Sequence, residues 1–358
     1  MLLRRFLLLF VTLIMIGLLI GSLALAYSYL WKNSYQEEES IRIDDVLLAE
    51  PRPTPGRSIF FHETSSFDDE NKEDNVLKLN ARQACAVESA ALHNPNFQVF
   101  LLFAVRKDVG LDDDNNGRRT GIKQTLVDAL LNYNNVHLRR LHVWRYAAGT
   151  PVEEWFNTGY LFCSRYLVVQ MSDFLRFLTL FRYGGLYLDL DVVVLQNMED
   201  MPPNYAGVES DLFVANGVMR FSHNGTGHDI ARRCLRDFQL YFNGYEWGYN
   251  GPWVITRVAK EICGTNKIAK MLNNTNRCKG FKVYEQGAFF AVPGDQWRDF
   301  LEPDKLEQTM ALTKSSYLVH VWNRNSKNTT IRVATPCAYL KLAEQNCPRV
   351  FHAAGEYF

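Results

Sequence analysis

The sequence predicts an α/β protein with a mainly parallel central sheet, preceded by a single transmembrane helix. Three observations carry this. Strand-like and helix-like patterns alternate from Ser58 onward, as they do when helices cover a parallel sheet. Leu186–Leu195 is almost continuously apolar, as a strand buried on both faces would be, and its exceptions are Asp189 and Asp191. Phe6–Leu30 contains no charged residue, and at about 25 residues it exceeds the roughly 20 that a bilayer requires.

Composition bounds the rest. The chain has 358 residues, 47% of them hydrophobic, and 39 basic residues balance 39 acidic ones. That is ample for one large core, and the neutral balance gives no support for a nucleic-acid partner. Arg4 and Arg5 precede the apolar run and Glu37, Glu38 and Glu39 follow it, so the positive-inside bias places 1–5 in the cytoplasm, 6–30 as a signal anchor and the remainder across the membrane. A cleaved signal peptide ending near Ala24-Leu25-Ala26 is the alternative. Residues 31–57 are polar and contain PRPTPG, the composition of a stem, and 58–358 form the lumenal globular part. Asn224, Asn273 and Asn328 begin N-glycosylation sequons. Seven cysteines suit an oxidising compartment, with Cys263–Cys278 and Cys337–Cys347 as pairs by proximity alone. There is no Cys-x-x-Cys to suggest zinc.

Along the globular part, Ser58–Thr64, Phe97–Val105 and Val136–Val143 read as strands, with helices over Arg82–Leu92 and Lys123–Asn132. His62 interrupts the first strand and reads as a core histidine. Lys107–Gly121 contains Asp112, Asp114, Asn116 and Gly117 at EF-hand spacing, but Lys123 stands where the loop needs Glu, so a solvated loop is the better reading. Phe174, Phe177, Leu178 and Phe181 then give one apolar helix face, with Ser172 as its N-cap and Gly184-Gly185 as its end. Asp189 and Asp191 leave the same side of the following strand. Two carboxylates there are costly unless compensated, and a divalent cation with an anionic ligand at the strand's C-terminal end would compensate both. The alternative is a strand that ends early, leaving both acids in water. Val208–Asp211 reads as a loop, Val214–Phe221 as a strand and Ile230–Asn243 as a helix. Gly244–Arg257 packs Tyr245, Trp247, Tyr249 and Trp253 among glycines, a composition suited to stacking on sugars or to plugging the core.

Four motifs carry a resemblance: Asp-x-Asp after Gly-Gly-x-Tyr with Ser-Asp-x-x-Arg before it, FFHETS at 60–65, Trp-Gly-x-x-Gly-Pro at 247–252, and SYLVHVWN at 316–323. Together they resemble the α1,4-glycosyltransferase family of galactosyl- and N-acetylglucosaminyltransferases, and the first is also similar to the clostridial glucosylating toxins. The resemblance runs from Ser58 to the C-terminus. It implies a GT-A fold and transfer, with retention, of galactose from UDP-galactose in α1,4 linkage to a glycolipid such as lactosylceramide, by a type II Golgi enzyme. N-acetylgalactosamine or N-acetylglucosamine is the alternative sugar. In the resemblance, Asp173, Arg176, Asp189 and Asp191 are catalytic. Asp191 binds manganese or magnesium directly, with Asp189 shared between metal and ribose and His320 as a third ligand. Asp173 and Arg176 hold donor-sugar hydroxyls, and Phe61 and Trp322 border the donor. Trp247, Tyr249, Asn250, Gly251 and Pro252 face the acceptor, although Asn250 stands where Gln is expected. Two other classes stay open. A haloacid-dehalogenase-type phosphatase would need Thr where Val193 stands, and an inactive lectin-like protein would have no need of the four intact polar residues.

Overall fold

In a computed structural model of the chain, residues 15–17, 19–23, 43–68, 79–106 and 124–358 are described. Most of the expected anchor, the stem up to residue 42 and the EF-hand-like stretch 112–117 lie outside them. Residues 15–17 and 19–23 are helical and exposed. Among the described residues, no helix is long and apolar enough to cross a membrane.

The globular part opens with β1 (Ser58–Glu63), α1 (Ala81–His93), β2 (Gln98–Val105), α2 (Gln124–Leu131) and β3 (Val136–His142). These five elements match the expected ones with ends shifted by a residue or two. Asn80 caps α1 and Gln83 reaches back to the Asn80 amide, a reciprocal capping box. α3 (Leu167–Tyr183) leads into β4 (Gly185–Leu188) and β5 (Val192–Val194). Next come β6 (Tyr205–Val208), β7 (Val214–Phe221), α4 (Gly225–Leu240), α5 (Pro252–Cys263), β8 (Lys282–Tyr284), β9 (Leu318–His320), α6 (Ala338–Asn346) and α7 (Pro348–Ala353).

Among the described residues, seven strands form one sheet in the order β3-β2-β1-β4-β7-β6-β8. β3, β2, β1 and β4 are mutually parallel, β7 runs antiparallel to both neighbours, and β8 is parallel to β6. The mainly parallel sheet expected from the alternation is therefore present. The chain builds outward from β1 to β3 and then returns to place β4 on the other side of β1. Such a reversal opens a crevice at the strands' C-terminal ends.

Three expectations need correction. The helix starts five residues before Ser172, which lies inside it and accepts a 2.9 Å hydrogen bond from Arg176 Nη2. The apolar run 186–195 is two strands: β4 ends at Leu188, and β5 pairs in a separate two-stranded sheet with β9, Val192 opposite His320. Both halves are fully buried, so hydropathy alone hid the break. The third concerns the cysteines. Cys263–Cys278 forms as expected, but Cys347 bonds to Cys85 and Cys337 is free and buried. Cys337 and Cys347 flank the two ends of α6, and a nine-residue helix holds its ends about 14 Å apart, beyond disulfide reach.

Gly184 and Gly185 end α3 with φ of +61° and +88°. A Cβ on Gly185 would strike the Ser58 carbonyl of the neighbouring strand, so only glycine lets β4 start this close to β1. His62 is in the core: its Nε2 is 3.0 Å from Thr179 Oγ1, and burial pushes its pKa down to about 3.

Candidate active site

The cleft lies where β4 ends, as the strand reversal requires. It has a volume of about 340 Å³ and is lined by residues of α3, the 189–191 turn, β7, the aromatic loop and the chain after β9. Asp173 and Arg176 come from successive turns of α3 and are both buried. Arg176 Nη1 is 2.9 Å from Asp189 Oδ1, and Nη2 is 3.3 Å from Asp173 Oδ1. Its Nη1 also donates to the Asn216 carbonyl at 3.0 Å, and its guanidinium stacks 4.7 Å from the Tyr187 ring centroid. Tyr187 Oη donates to Asp189 Oδ1 at 2.8 Å, and Asn216 Nδ2 donates to Asp173 Oδ1 at 2.7 Å. Asp173 Oδ2 is buried with no hydrogen-bond partner.

Across the break in the strand, Asp191 Oδ2 accepts the Asn323 backbone N–H at 2.7 Å, and the Asp191 carbonyl accepts from Val321 at 2.8 Å. These bonds attach the 189–191 turn to the chain after β9, which brings in His320. Its Nε2 is 3.1 Å from Asp191 Oδ1 and 3.7 Å from Asp189 Oδ2. One oxygen of each carboxylate is thus tied to protein, and the other turns toward the same imidazole nitrogen. Trp322 covers the ring at 4.6 Å between centroids and donates its indole N–H to the Val292 carbonyl at 2.8 Å. Its backbone has φ +54°, uncommon for a bulky residue and characteristic of functional sites.

Electrostatics follow from these contacts. Burial alone would raise the Asp189 carboxyl; the Arg176 guanidinium overrides it, with His320 and Tyr187 hydrogen bonds, and holds it at about 2. Burial opposes a charged His320, yet Asp191 and Asp189 lift it to about 10. At Asp173 burial wins, and the carboxyl is raised despite Arg176 and Asn216.

The donor set fits a divalent cation. Ligand atoms of Asp189, Asp191 and His320 all lie within 4.8 Å of one another. Neighbouring ligands at 2.0–2.2 Å around a small divalent ion stand about 3 Å apart, close to the spacings here. Gly217 keeps the place open: a Cβ there would come within 2.7 Å of Asp189 Oδ2 and 3.5 Å of His320 Nε2. Gly251 lets the aromatic loop pack closely on the same network, since a Cβ there would meet Asp173 Oδ1 at 2.5 Å and Asn216 Nδ2 at 2.6 Å.

The remaining expected site residues divide. Trp247 and Pro252 line the cleft, with Arg324 stacked 3.5 Å from the Trp247 ring. Phe61 is wholly buried within β1, so it has no surface to offer a donor. Tyr249 is turned outside the cleft lining, under Arg257 at 4.8 Å. Asn250 is fully buried, accepting from the Asn243 N–H at 3.0 Å and donating to its carbonyl at 2.7 Å, so it clamps the loop instead of facing an acceptor. Asn224, Asn273 and Asn328 are all exposed. Tyr187, Glu209, Asn216, Gly217 and Arg324 belong to this region and escaped sequence reasoning. The Gly-Gly-x-Tyr spacing contained Tyr187, but nothing local marks the others.

Known proteins resemble the chain in sequence. The model of the glycosyltransferase sugar-binding region containing the DXD motif matches residues 80–208, and that of the alpha 1,4-glycosyltransferase conserved region matches 223–354. The lactosylceramide 4-alpha-galactosyltransferase of Mus musculus is 29% identical over 324 residues, 90% of this chain and 83% of that one. The alpha-1,4-N-acetylglucosaminyltransferase of Homo sapiens is 24% identical over 269 residues, 75% of this chain and 74% of that one. Among solved structures, the galactosyltransferase LgtC with donor and acceptor sugar analogs aligns at TM-score 0.39 and 13% identity, over 81% of this chain and 95% of that one, too distant to assign roles to residues. Two consecutive family matches span the Asp-x-Asp turn and the aromatic loop, and with relatives similar along most of their length they make this chain similar to the α1,4-glycosyltransferases through most of its globular part.

Proposed function

We propose that the chain transfers galactose from UDP-galactose, in α1,4 linkage and with retention, to a glycolipid such as lactosylceramide, on a GT-A-type fold. The observation that carries this is the convergence of Asp189, Asp191 and His320 beside the buried, unpaired oxygen of Asp173. A manganese or magnesium ion held by the three would neutralise charge on the leaving diphosphate. Asp173 Oδ2 accepts a donor-sugar hydroxyl, and Arg176 holds Asp173 and Asp189 in place from behind. Trp247, at the cleft mouth, offers a face on which an acceptor sugar stacks. Acceptor attack comes from the side the diphosphate leaves, and trapping a covalent glycosyl-enzyme by mass spectrometry would count against that. The enzyme works as a single-pass type II protein of the Golgi membrane, with 58–358 lumenal.

The test uses the full-length chain in detergent with manganese and a panel of UDP-sugars. UDP release is scored with and without lactosylceramide, and Asp191→Ala serves as control. Release from UDP-galactose that needs metal, acceptor and Asp191 is the expected result. Release from a UDP-N-acetylhexosamine alone would reassign the donor, and no release from any sugar would sink the transferase reading.

A further inference from the structure

The cleft holds one carboxylate that none of these roles uses. Glu209 follows β6 directly and lines the cleft with Ala215, Asn216 and Gly217 of the adjacent strand. The β6–β7 pairing shifts register between Ala206 and Val208, one residue before it. Bulges of this kind re-aim the next side chain and are frequent beside active sites. Its main chain is held at both ends: its N–H donates to the Phe213 carbonyl at 3.2 Å, and its carbonyl accepts from Gln286 Nε2 at 2.8 Å. The carboxylate itself has no hydrogen bond or ion pair among the described residues, and burial raises its pKa. Asp173 and Asp189 share Arg176, and Asp191 has the Asn323 amide, so Glu209 alone has no partner of its own. The nearby positive group is His320, with which Glu209 makes no hydrogen bond or ion pair among the described residues.

An uncompensated carboxylate in a half-buried cleft is costly in the resting protein. It becomes favourable when positive charge develops opposite it, and an interaction made only in the transition state is what accelerates a reaction. In glycosyl transfer that charge appears on the anomeric carbon and ring oxygen. Resting on the transferase reading above, we infer that Glu209 is a catalytic residue whose carboxylate faces the anomeric centre and stabilises its developing positive charge. Glu209 forms no bond. The bond between the anomeric carbon and the diphosphate oxygen breaks with its electron pair on that oxygen. The acceptor oxygen forms the new bond, and its proton leaves with the diphosphate.

The experiment compares Glu209→Gln and Glu209→Asp with wild type in the full-length chain in detergent. Steady-state transfer is measured, along with calorimetric binding of UDP and manganese. The expected result for Glu209→Gln is a fall in kcat of about 10²–10³-fold, the size of losing one electrostatic stabiliser, with UDP and manganese affinities within about two-fold of wild type. Glu209→Asp, which keeps the charge, recovers at least about ten-fold of that loss. A Glu209→Gln enzyme with wild-type kcat overturns the inference while leaving the transferase reading intact. Loss of UDP or manganese affinity in step with kcat overturns it in favour of a positioning role. A wild-type protein that turns over no UDP-sugar overturns both.

Discussion

On the wall formed by α3, β4 and β7, buried Asp173 and Arg176 and partly buried Asp189 share one network that leaves one buried Asp173 oxygen without a hydrogen bond. On the wall beside it, loop 244–251 leaves Tyr245 82% and Trp247 38% exposed. There the fixed parts are backbone: Asn250 clamps Asn243, and Gln170 Nε2 donates to the carbonyls of Asn243 and Glu246 at 2.9 and 3.1 Å. The difference teaches where the chain can change. A buried network of charges cannot lose a member without stranding another, whereas exposed rings on a fixed backbone can be exchanged at little cost to the fold. On the proposed function, donor chemistry belongs to the first wall and acceptor choice to the second.

That contrast can be broken or sharpened by substitution. Arg176→Ala strands the buried Asp173 carboxylate and takes the ion-pair partner from partly buried Asp189, and should cost about 3–5 kcal/mol of stability in denaturant unfolding, together with most activity. Behind the same wall, the buried His62 ring binds its proton less readily than the unfolded chain does. Its contribution is therefore complete above pH 6.5 and is lost as the pH falls from there toward 3. His62→Phe should flatten this part of the pH–stability curve relative to wild type, and an unchanged slope would remove His62 from the account. Gly217→Ala pushes a methyl group against Asp189 and should lower kcat about 10²-fold and weaken manganese binding, with a smaller change in melting temperature. On the other wall, Asn250→Ala leaves the Asn243 backbone groups unpaired and should cost about 1–3 kcal/mol of stability, which unfolding curves would register. Trp247→Ala, least of all, removes an exposed stack with Arg324 worth about 0.5–1 kcal/mol. It should raise acceptor KM a few-fold with donor affinity unchanged. If Trp247→Ala destabilises the protein as much as Arg176→Ala, the contrast between the walls is wrong.

Sequence reasoning recovered the parallel half of the sheet because its signals are local: apolar runs, helical spacing, Gly-Gly. It also singled out Asp173, Arg176, Asp189 and Asp191 as the polar residues of an apolar stretch, and these line the cleft. It failed where one local pattern admits two tertiary outcomes. Leu186–Leu195 is equally apolar whether it is one strand or two, and only the pairing of Val192 with His320 decides. Ser172 is a good cap by type, but apolar packing from Leu167 onward extends the helix past it. Phe61 and Asn250 lie in motifs yet point into the protein interior, which a motif does not encode. Asn216, Gly217 and Glu209 carry no local mark, since their position in the cleft comes from the register of β6 and β7 against β4.

The bond between Cys85 and Cys347 spans 262 residues and encloses the whole constellation from Asp173 to Trp322 in one covalent ring. A single protease cut anywhere inside that ring leaves two fragments that still travel together. A nicked enzyme would therefore run as one species on a non-reducing gel and as two after thiol treatment. Loss of activity by nicking and loss by reduction are thus separable events, and a preparation that looks intact without reductant has not been shown to have an unbroken chain.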